Sequence, residues 1–511
     1  MKRIASIKAL SVMVAVSVIS LSLSACGKPA AGNNAQPTVS ETAQSTVTPQ
    51  AQQSNMSGTI KFLFPGDEPA GQQEVNEAIS QKCKEDGLDF TFEYTFVPWD
   101  NYWNKQGMAV AADEEYDITW DHISNYAGHV SKKLLTPMDD ALNKYGKDIL
   151  SSTPQYSWKE MTYNNSIYAI PRVVPTATTR AFIIRGDLRE KYGLPEIKTP
   201  EDYIKYCEAI QKNEPGMVPT ISSPMRYKYT TDKLWLFFGL WECAPVYLDV
   251  NDWKFKSFYE TDDFKKLVDD NVALQAKGLL PNQNLNIDDA FGSFFGGKIG
   301  SMEATLLRLS EQVDAFKAQQ PNGKMEFVQI YPDQPKYIIS ACDNLLAVLA
   351  TSKKVNESVA FINWTRKSQE NYDLFSYGIK DVNYKLDGNS VITADIPQEH
   401  SYPAINWAWT DLRFHRFSKE CTPEYLDMVK NWDKDAVQIP ALGISWNMDL
   451  IKAEMTQLNA VFLEYNNVVK NGYMEYDKFA PQLIQKCKDA GLDKVISELQ
   501  KQLDAYLANN K

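Results

Sequence analysis

Apolar and polar positions along the chain recur in two rhythms, period two over short runs and three-to-four over longer ones. Thr59-Ile60-Lys61-Phe62-Leu63-Phe64 predicts a strand, stopped by Pro65-Gly66-Asp67-Glu68-Pro69. A helix over about 72–85 follows, with Val75, Ala78, Ile79 and Cys83 on one face and Gly87 as its stop. Residues 90–96 alternate as a second strand, 103–112 are helical, and Tyr116-Asp117-Ile118-Thr119-Trp120 makes a third strand. Strand, helix, strand at this spacing implies a parallel, doubly wound sheet. The pattern restarts with a strand over 179–184. Thr199 then caps a helix opened by Pro200 and Asp202, and further helices are predicted over 262–277 and 355–366. The C-terminal third reads as long helices over 448–469, 476–489 and 492–507. Gln81-Lys82-Cys83-Lys84 and Gln485-Lys486-Cys487-Lys488 are each followed by Gly-Leu-Asp, which reads as two similar helix endings and not a repeat.

The N-terminus carries a different pattern. Lys2, Arg3 and Lys8 precede a short apolar run over 9–23, the layout of a signal peptide over 1–25. Leu23-Ser24-Ala25-Cys26 matches the bacterial lipobox, in which small side chains precede the cleaved bond and the thiol takes the diacylglycerol. Cys26 is thus the expected lipid attachment residue, and its acyl chains would anchor the protein stably to a membrane. Residues 27–57 contain no Phe, Trp, Tyr, Leu or Ile, too little apolar surface to offset ordering entropy, so they read as a disordered tether.

Length and charge narrow the class. At 511 residues two or more domains are expected. Net charge is −12, more negative still once Lys2, Arg3 and Lys8 are removed, which excludes nucleic-acid binding by a basic face. No run of 18 apolar residues follows residue 25, against a multi-span membrane protein. Cys83, Cys207, Cys243, Cys342, Cys421 and Cys487 show no CxxC spacing and read as mostly free, buried thiols, with room for one bridge.

Catalytic and metal motifs fail one by one. Gly292 to Lys298 spells G-x-x-x-x-G-K, but Ile299 stands where a phosphate loop needs Ser or Thr. Asp249, Asn251 and Glu260 have calcium-loop spacing, with Trp253 and Lys254 where a ligand and a glycine are required. His122, His129, His400 and His415 form no metal motif, and no GxSxG elbow occurs. No cofactor or metal is expected. A cell-surface glycosidase stays open as an alternative, because the many carboxylates leave an acid–base pair possible without supporting one.

In order along the chain, the lipobox, Tyr116-Asp117-Ile118, 135–140 (LTPMDD), 167–171 (IYAIP), 185–188 (RGDL), 191–194 (KYGL), 297–302 (GKIGSM) and 351–354 (TSKK) resemble the family 1 extracellular solute-binding proteins, the substrate-capturing lipoproteins of ABC importers. Tyr377-Gly378-Ile379, Asn406-Trp407-Ala408-Trp409 and 490–494 (AGLDK) are similar to a long Gram-positive subgroup with an extra C-terminal region. Gly186 departs from the polar residue usual in the family before Asp-Leu. The resemblance implies an α/β, two-lobe periplasmic-binding-protein-like (type II) fold with a helical C-terminal extension. It implies lobe 1 over 58–175 plus about 342–385, and lobe 2 over 176–341 plus about 386–511. It also implies a monomer, no turnover, ABC permease subunits as partners and a lipid anchor outside the cell membrane. The ligand would be an oligosaccharide or related polar solute, the alternative within binding proteins being a peptide or other non-sugar ligand.

Ligands of open α/β sheets sit beyond the carboxyl ends of strands. That rule nominates Gly66, Asp67 and Glu68 after the first strand, Trp120, Asp121 and Tyr126 after the third, Arg172 and Thr176 in the crossing, and Glu303 and Thr305 after 301–302. Aromatic faces suit sugar rings, so Trp120, Trp407, Trp409 and Trp446 are added. Asn406, Asp411 and Arg413 supply polar groups beside Trp407 and Trp409, whose spacing of two residues would put both indoles on one side.

Overall fold

The computed structural model describes residues 56–237, 243–282, 289–340, 342–393, 395–403 and 405–509. The signal peptide, Cys26 and most of the tether lie outside the described residues. Eight strands build the two main sheets: β1 (Met56–Pro65), β2 (Leu88–Val97), β3 (Ile118–His122), β4 (Ala169–Pro171), β5 (Ala181–Arg185), β6 (Ser301–Glu303), β7 (Met325–Gln329) and β8 (Asn344–Val348). The helices that matter here are α1 (Gln72–Glu85), α2 (Trp99–Ala111), α3 (Pro200–Asn213), α4 (Asp262–Ala276), α5 (Arg308–Gln319), α6 (Pro423–Asn431), α7 (Lys452–Asn471), α8 (Tyr476–Asp489) and α9 (Leu492–Asn509).

The first sheet runs β2-β1-β3-β8-β4. β1 lies parallel to β2 and β3, and β8 is antiparallel to β3 and β4. Ile60, Phe62, Leu63, Phe64 and Ile118 are buried in it, the near-continuous apolar run expected of strands covered on both faces. β8 arrives from late in the chain and inserts between β3 and β4, so the chain must leave this lobe after β4 and return before β8.

The second main sheet is β6-β5-β7, with β5 central and antiparallel to both neighbours. Restarting the strand–helix pattern suggested another parallel sheet. It forms an antiparallel one because more than a hundred residues, including α3 and α4, separate β5 from β6, in place of a single crossover helix. Thr199 caps α3 as read, its Oγ1 accepting the Asp202 N–H at 3.1 Å.

The C-terminal helices α7, α8 and α9 pack on each other and on the second lobe, α7 against α4 and α9 against the strand Lys254–Ser257. The Phe255 N–H donates to the Gln500 side chain at 2.9 Å. Their buried stripes, among them Leu458, Phe462, Leu483, Val495, Leu499 and Leu503, join the second core. Tyr402, Ala408 and Trp409, expected with the second lobe, pack instead into the first core against Phe64 and Phe375. Five of the six described cysteines are buried thiols, and none of the six is bridged.

Three segments pass between the lobes and are stitched together by backbone pairs. Val173 lies beside Asp411 and Ala177 beside Ile338. Val173 N–H donates to Thr410 C=O at 2.8 Å, and Leu412 N–H returns to Val173 C=O at 2.9 Å. Asp433, just after α6, accepts the N–H groups of Thr176 and Ala177 and the Tyr156 hydroxyl, while the Trp432 indole donates to Ala177 C=O. Thr176 therefore serves the crossing's backbone.

Gly472 ends α7 in the left-handed region, φ +64°. A Cβ there would stand 2.2 Å from the Asn271 carbonyl oxygen of α4. Both the conformation and the close approach demand glycine. Gly472→Ala is expected to destabilise the fold by more than about 1 kcal/mol, read as a lowered urea midpoint. An unchanged midpoint would mean that α7 does not seat on α4 in this way.

Candidate functional site

β1, β2, β3 and β4 end at one edge of the first sheet, and antiparallel β8 begins there, with Asn344 opposite His122 and Leu345 opposite Pro171. The crossings leave and re-enter the lobe at this edge. Everything that follows β2, β3 and β4, or precedes β8, is thus delivered to one place.

Three indoles gather there. Trp99, the first residue of α2, is 50% exposed. It stacks on Trp407 at a centroid distance of 5.7 Å and an angle of 29°, and meets Trp120 edge-on at 5.5 Å. Trp120 meets Trp407 edge-on at 5.3 Å and is itself 5% exposed, its N–H donating to Asn344 Oδ1 at 3.0 Å. Trp103 and Tyr102 back it from inside, at 4.8 and 5.6 Å. Trp120 is therefore a fixed floor, Trp407 a half-buried wall and Trp99 the ring that solvent reaches. The glycine at the end of β1 borders this ring: a Cβ on Gly66 would lie 3.9 Å from the Trp99 indole nitrogen. Asp67 and Glu68 follow it, exposed.

Arg172, immediately after β4, ties the edge together. Its Nε and one terminal nitrogen each donate to Asp343 at 2.6 Å, and the other terminal nitrogen donates to Trp407 C=O at 3.1 Å. Burial opposes both charges, but the pairing outweighs it, holding the Asp343 carboxyl below its ordinary value and the guanidinium above. The Asp343 side chain remains 49% exposed, so its outer lone pairs face solvent as acceptors. Behind Arg172, burial pushes His415 down to about 4, with the guanidinium adding to the effect, so its ring is neutral. His122 is likewise pushed down by burial, against the pull of Asp343 and Asp121.

Across the crossings, the second sheet presents the edge where β6 ends and β5 begins, Glu303 opposite Phe182. Glu303 is held by Arg226 and accepts the Tyr227 hydroxyl at 2.5 Å. Thr305 follows, exposed. Arg308 pairs with Glu311 at 3.3 Å, and Glu311 lies near enough to Arg172 to favour its charge.

Of the residues nominated from sequence, the first edge gathers Asp67, Glu68, Trp120, Arg172, Asn406 and Trp407, while Glu303 lies on the edge opposite. Five others are corrected. Asp121 is buried, one oxygen accepting the His122 N–H and the other paired with His129 at 2.9 Å. Tyr126 is buried, its hydroxyl donating to Met161 C=O at 2.6 Å. Trp409 is core, 6% exposed, its indole donating to Ser376. Arg413 is spent on Asp411 and the Arg366 carbonyl, bracing the third crossing. Trp446 packs on Phe237 and Phe255 in the second lobe.

Trp99 and Asp343 were missed. Trp99 stood four residues ahead of the helix start that periodicity indicated, and Pro98 immediately before it was the signal for an earlier start. Asp343 precedes a buried strand and shows no motif. A cavity of about 340 Å³ lies elsewhere, between the free edge of β7 and α6, and is ringed by Glu196, Glu326, Glu420 and Glu424. It contains none of the gathered rings.

A family model described as bacterial extracellular solute-binding protein matches residues 66–370, and a domain of unknown function (DUF3502) matches 440–508, which is α7–α9 with the short turn before them. The chain is similar to a carbohydrate ABC transporter substrate-binding protein of Streptococcus pneumoniae serotype 4, 22% identical over 460 residues, spanning 88% of this chain and 91% of that one. Among solved structures it is similar to the N-glycan transport solute binding protein (NgtS) of Streptococcus pneumoniae, with TM-score 0.74, 20% identity and coverage of 89% of this chain and 100% of that one. It is also similar to the alginate-binding protein AlgQ2, with TM-score 0.59, 14% identity and coverage of 89% and 100%. These neighbours share the two-lobed type II fold, and the family match covers more than half of the chain: it belongs to the bacterial extracellular solute-binding proteins.

Proposed function

We propose that the protein captures an oligosaccharide between the facing edges of its two sheets and hands it to the permease of an ABC importer. The observation that carries this reading is Trp99: a half-exposed indole stacked on Trp407 above a fixed Trp120, at the edge where the crossings meet. An aromatic face takes the C–H face of a pyranose, while the Asp343 carboxylate and the exposed Asp67 and Glu68 accept its hydroxyls. NgtS, solved also in complex with Man1GlcNAc, and the carbohydrate transporter relative support a saccharide. The ligand would leave unchanged. Glycoside hydrolysis needs one carboxyl with a raised pKa, whereas Asp343 is lowered by Arg172 and Glu303 is held by Arg226. Cys26 would hold the head outside the membrane through the tether. Among the described residues no helix is long and apolar enough to cross a membrane.

Intrinsic tryptophan fluorescence with an oligosaccharide panel tests the reading, since three indoles line the site. A ligand at about a hundred times its dissociation constant should add roughly 2.7 kcal/mol of stability. Trp99→Ala is expected to abolish most of that gain while leaving ligand-free melting nearly unchanged, because the ring is half exposed. Trp409→Ala should do the reverse, costing about 3–5 kcal/mol without ligand. Equal loss of binding in both variants would displace the site from Trp99.

Ligand should also draw the lobes together about the three crossings, so small-angle scattering should give a smaller radius of gyration at saturation. Identical curves with binding confirmed by fluorescence would count against closure. Cys26→Ala should leave the protein unprocessed or release it to the medium, and full retention of processed protein in the membrane fraction would refute the anchor.

A further inference from the structure

The charges at the two facing edges are balanced in a way that bears on which saccharides can enter. Three arginines there already hold carboxylates, while Arg366, which donates to Pro171 C=O at the end of β4, and Arg180, just before β5, are buried and donate to backbone carbonyls. Arg172 is bound by two hydrogen bonds to Asp343, Arg226 holds Glu303, and Arg308 pairs with Glu311. Burial disfavours the charged form of both His122 and His415, and the carboxylate of Asp121 is buried with His129. Against these pairs stand Asp67 and Glu68 beside Trp99, and Asp100 in the first turn of α2. All three are exposed, and none forms an ion pair among the described residues. The short segments not described between residues 237 and 405 contain no Lys or Arg. The accessible guanidinium beside the rings, Arg172, is therefore occupied by Asp343, and the rim around Trp99 is acidic.

We propose that this site is selective for uncharged saccharides and excludes uronic, sialylated and sulfated ones. The inference rests on the saccharide reading above and adds its chemical class. A neutral sugar needs only what the edge offers: an apolar ring face at Trp99 and acceptors for hydroxyl donors at Asp343, which accepts while its charge is cancelled by Arg172. An anionic sugar would have to displace Asp343 from Arg172, leaving that carboxylate without its cation, or sit unpaired beside Asp67 and Glu68. The overall charge of −12 adds a long-range field of the same sign. The fold does not settle the matter by itself, since one structural neighbour is a binding protein for alginate, a polyuronate. What settles it in this chain is how its arginines are occupied.

Length-matched trimers provide the test: manno-, gluco-, galacto- and N-acetylglucosamine trisaccharides against trimannuronate, triglucuronate and trigalacturonate, followed by tryptophan fluorescence and calorimetry. At least one neutral trimer should bind, with its uronate counterpart weaker by about 100-fold or more, the scale of breaking a well-made ion pair. A uronate binding as tightly as any neutral trimer, or uronates binding where neutral trimers do not, overturns the charge selectivity and leaves the saccharide reading standing. No binding by either set overturns both. Asp343→Asn separates the cause. It keeps the shape and frees the Arg172 charge, so in a variant shown to be folded by its melting curve, uronate affinity should rise at least tenfold as the neutral trimer weakens. An unchanged preference in that variant would mean that the pairing is not what excludes anions.

Discussion

One guanidinium holds the site in register. Arg172 belongs to the first crossing, Asp343 to the second, and the Trp407 carbonyl stands just before the third, so three hydrogen bonds from a single side chain join all three segments that connect the lobes. Only arginine has a planar fork that can grip a carboxylate with two donors and still spare one for a carbonyl. Its burial would be costly alone, and the bidentate pairing is what makes it tolerable. The same bonds fix where the Trp407 ring stands, and hence where Trp99 can stack. The candidate surface and the crossings are therefore one assembly.

The backbone around that tie is arranged to bend without coming apart. The crossings pair with each other by isolated bridges and not by a continuous ladder, at Val173 with Asp411 and Ala177 with Ile338. A few such pairs keep the segments side by side with fewer bonds to break than a ladder would have, which the proposed closure would need. Asp433 and Trp432 then grip the first crossing from the second lobe, through the backbone of Thr176 and Ala177. Arg172 grips it from the first. Between these two anchors lie residues 173–175, of which Val173 is itself paired with the third crossing.

Much of the fold was legible because it rests on short-range periodicity. α1 and α8 fall where their apolar stripes placed them, and the similar endings share a cause: Gly87 and Gly491 both adopt positive φ to stop their helices. The antiparallel second sheet was not legible, because pairing across more than a hundred residues leaves no local trace. At the site, the rule of carboxyl-end loops found Trp120 and Arg172, whose positions follow from strand ends alone. The reading of aromatic faces by their spacing failed for Trp407 and Trp409 as a pair. The segment 406–408 is a 3₁₀ turn, and at three residues per turn, positions two apart point in different directions. One indole therefore faces Trp99 and the other enters the core beside Phe375. Polar neighbours suggested ligand contact, yet Asp411 and Arg413 satisfy each other. Asp343 escaped notice because its significance lies in a partner 171 residues away.

The two lobes divide the work unequally. The first brings nearly all the exposed aromatic surface, anchored on a sheet buried on both faces. The second brings a polar edge, Glu303 with Arg226 and Tyr227, on a lobe against which three further helices pack. Stacking on a rigid indole orients a ring without much regard to its hydroxyls, whereas hydrogen bonds to fixed polar groups discriminate among them. A ligand that lands first on Trp99 would be held loosely and by shape. Closure of the proposed kind would add the second lobe's polar groups, so affinity gained on closure would also be where hydroxyl stereochemistry is read. The α7–α9 unit packs on that same second lobe, against α4 and the strand Lys254–Ser257, with Lys470 near the end of α7 close enough to Arg226 to act on its charge.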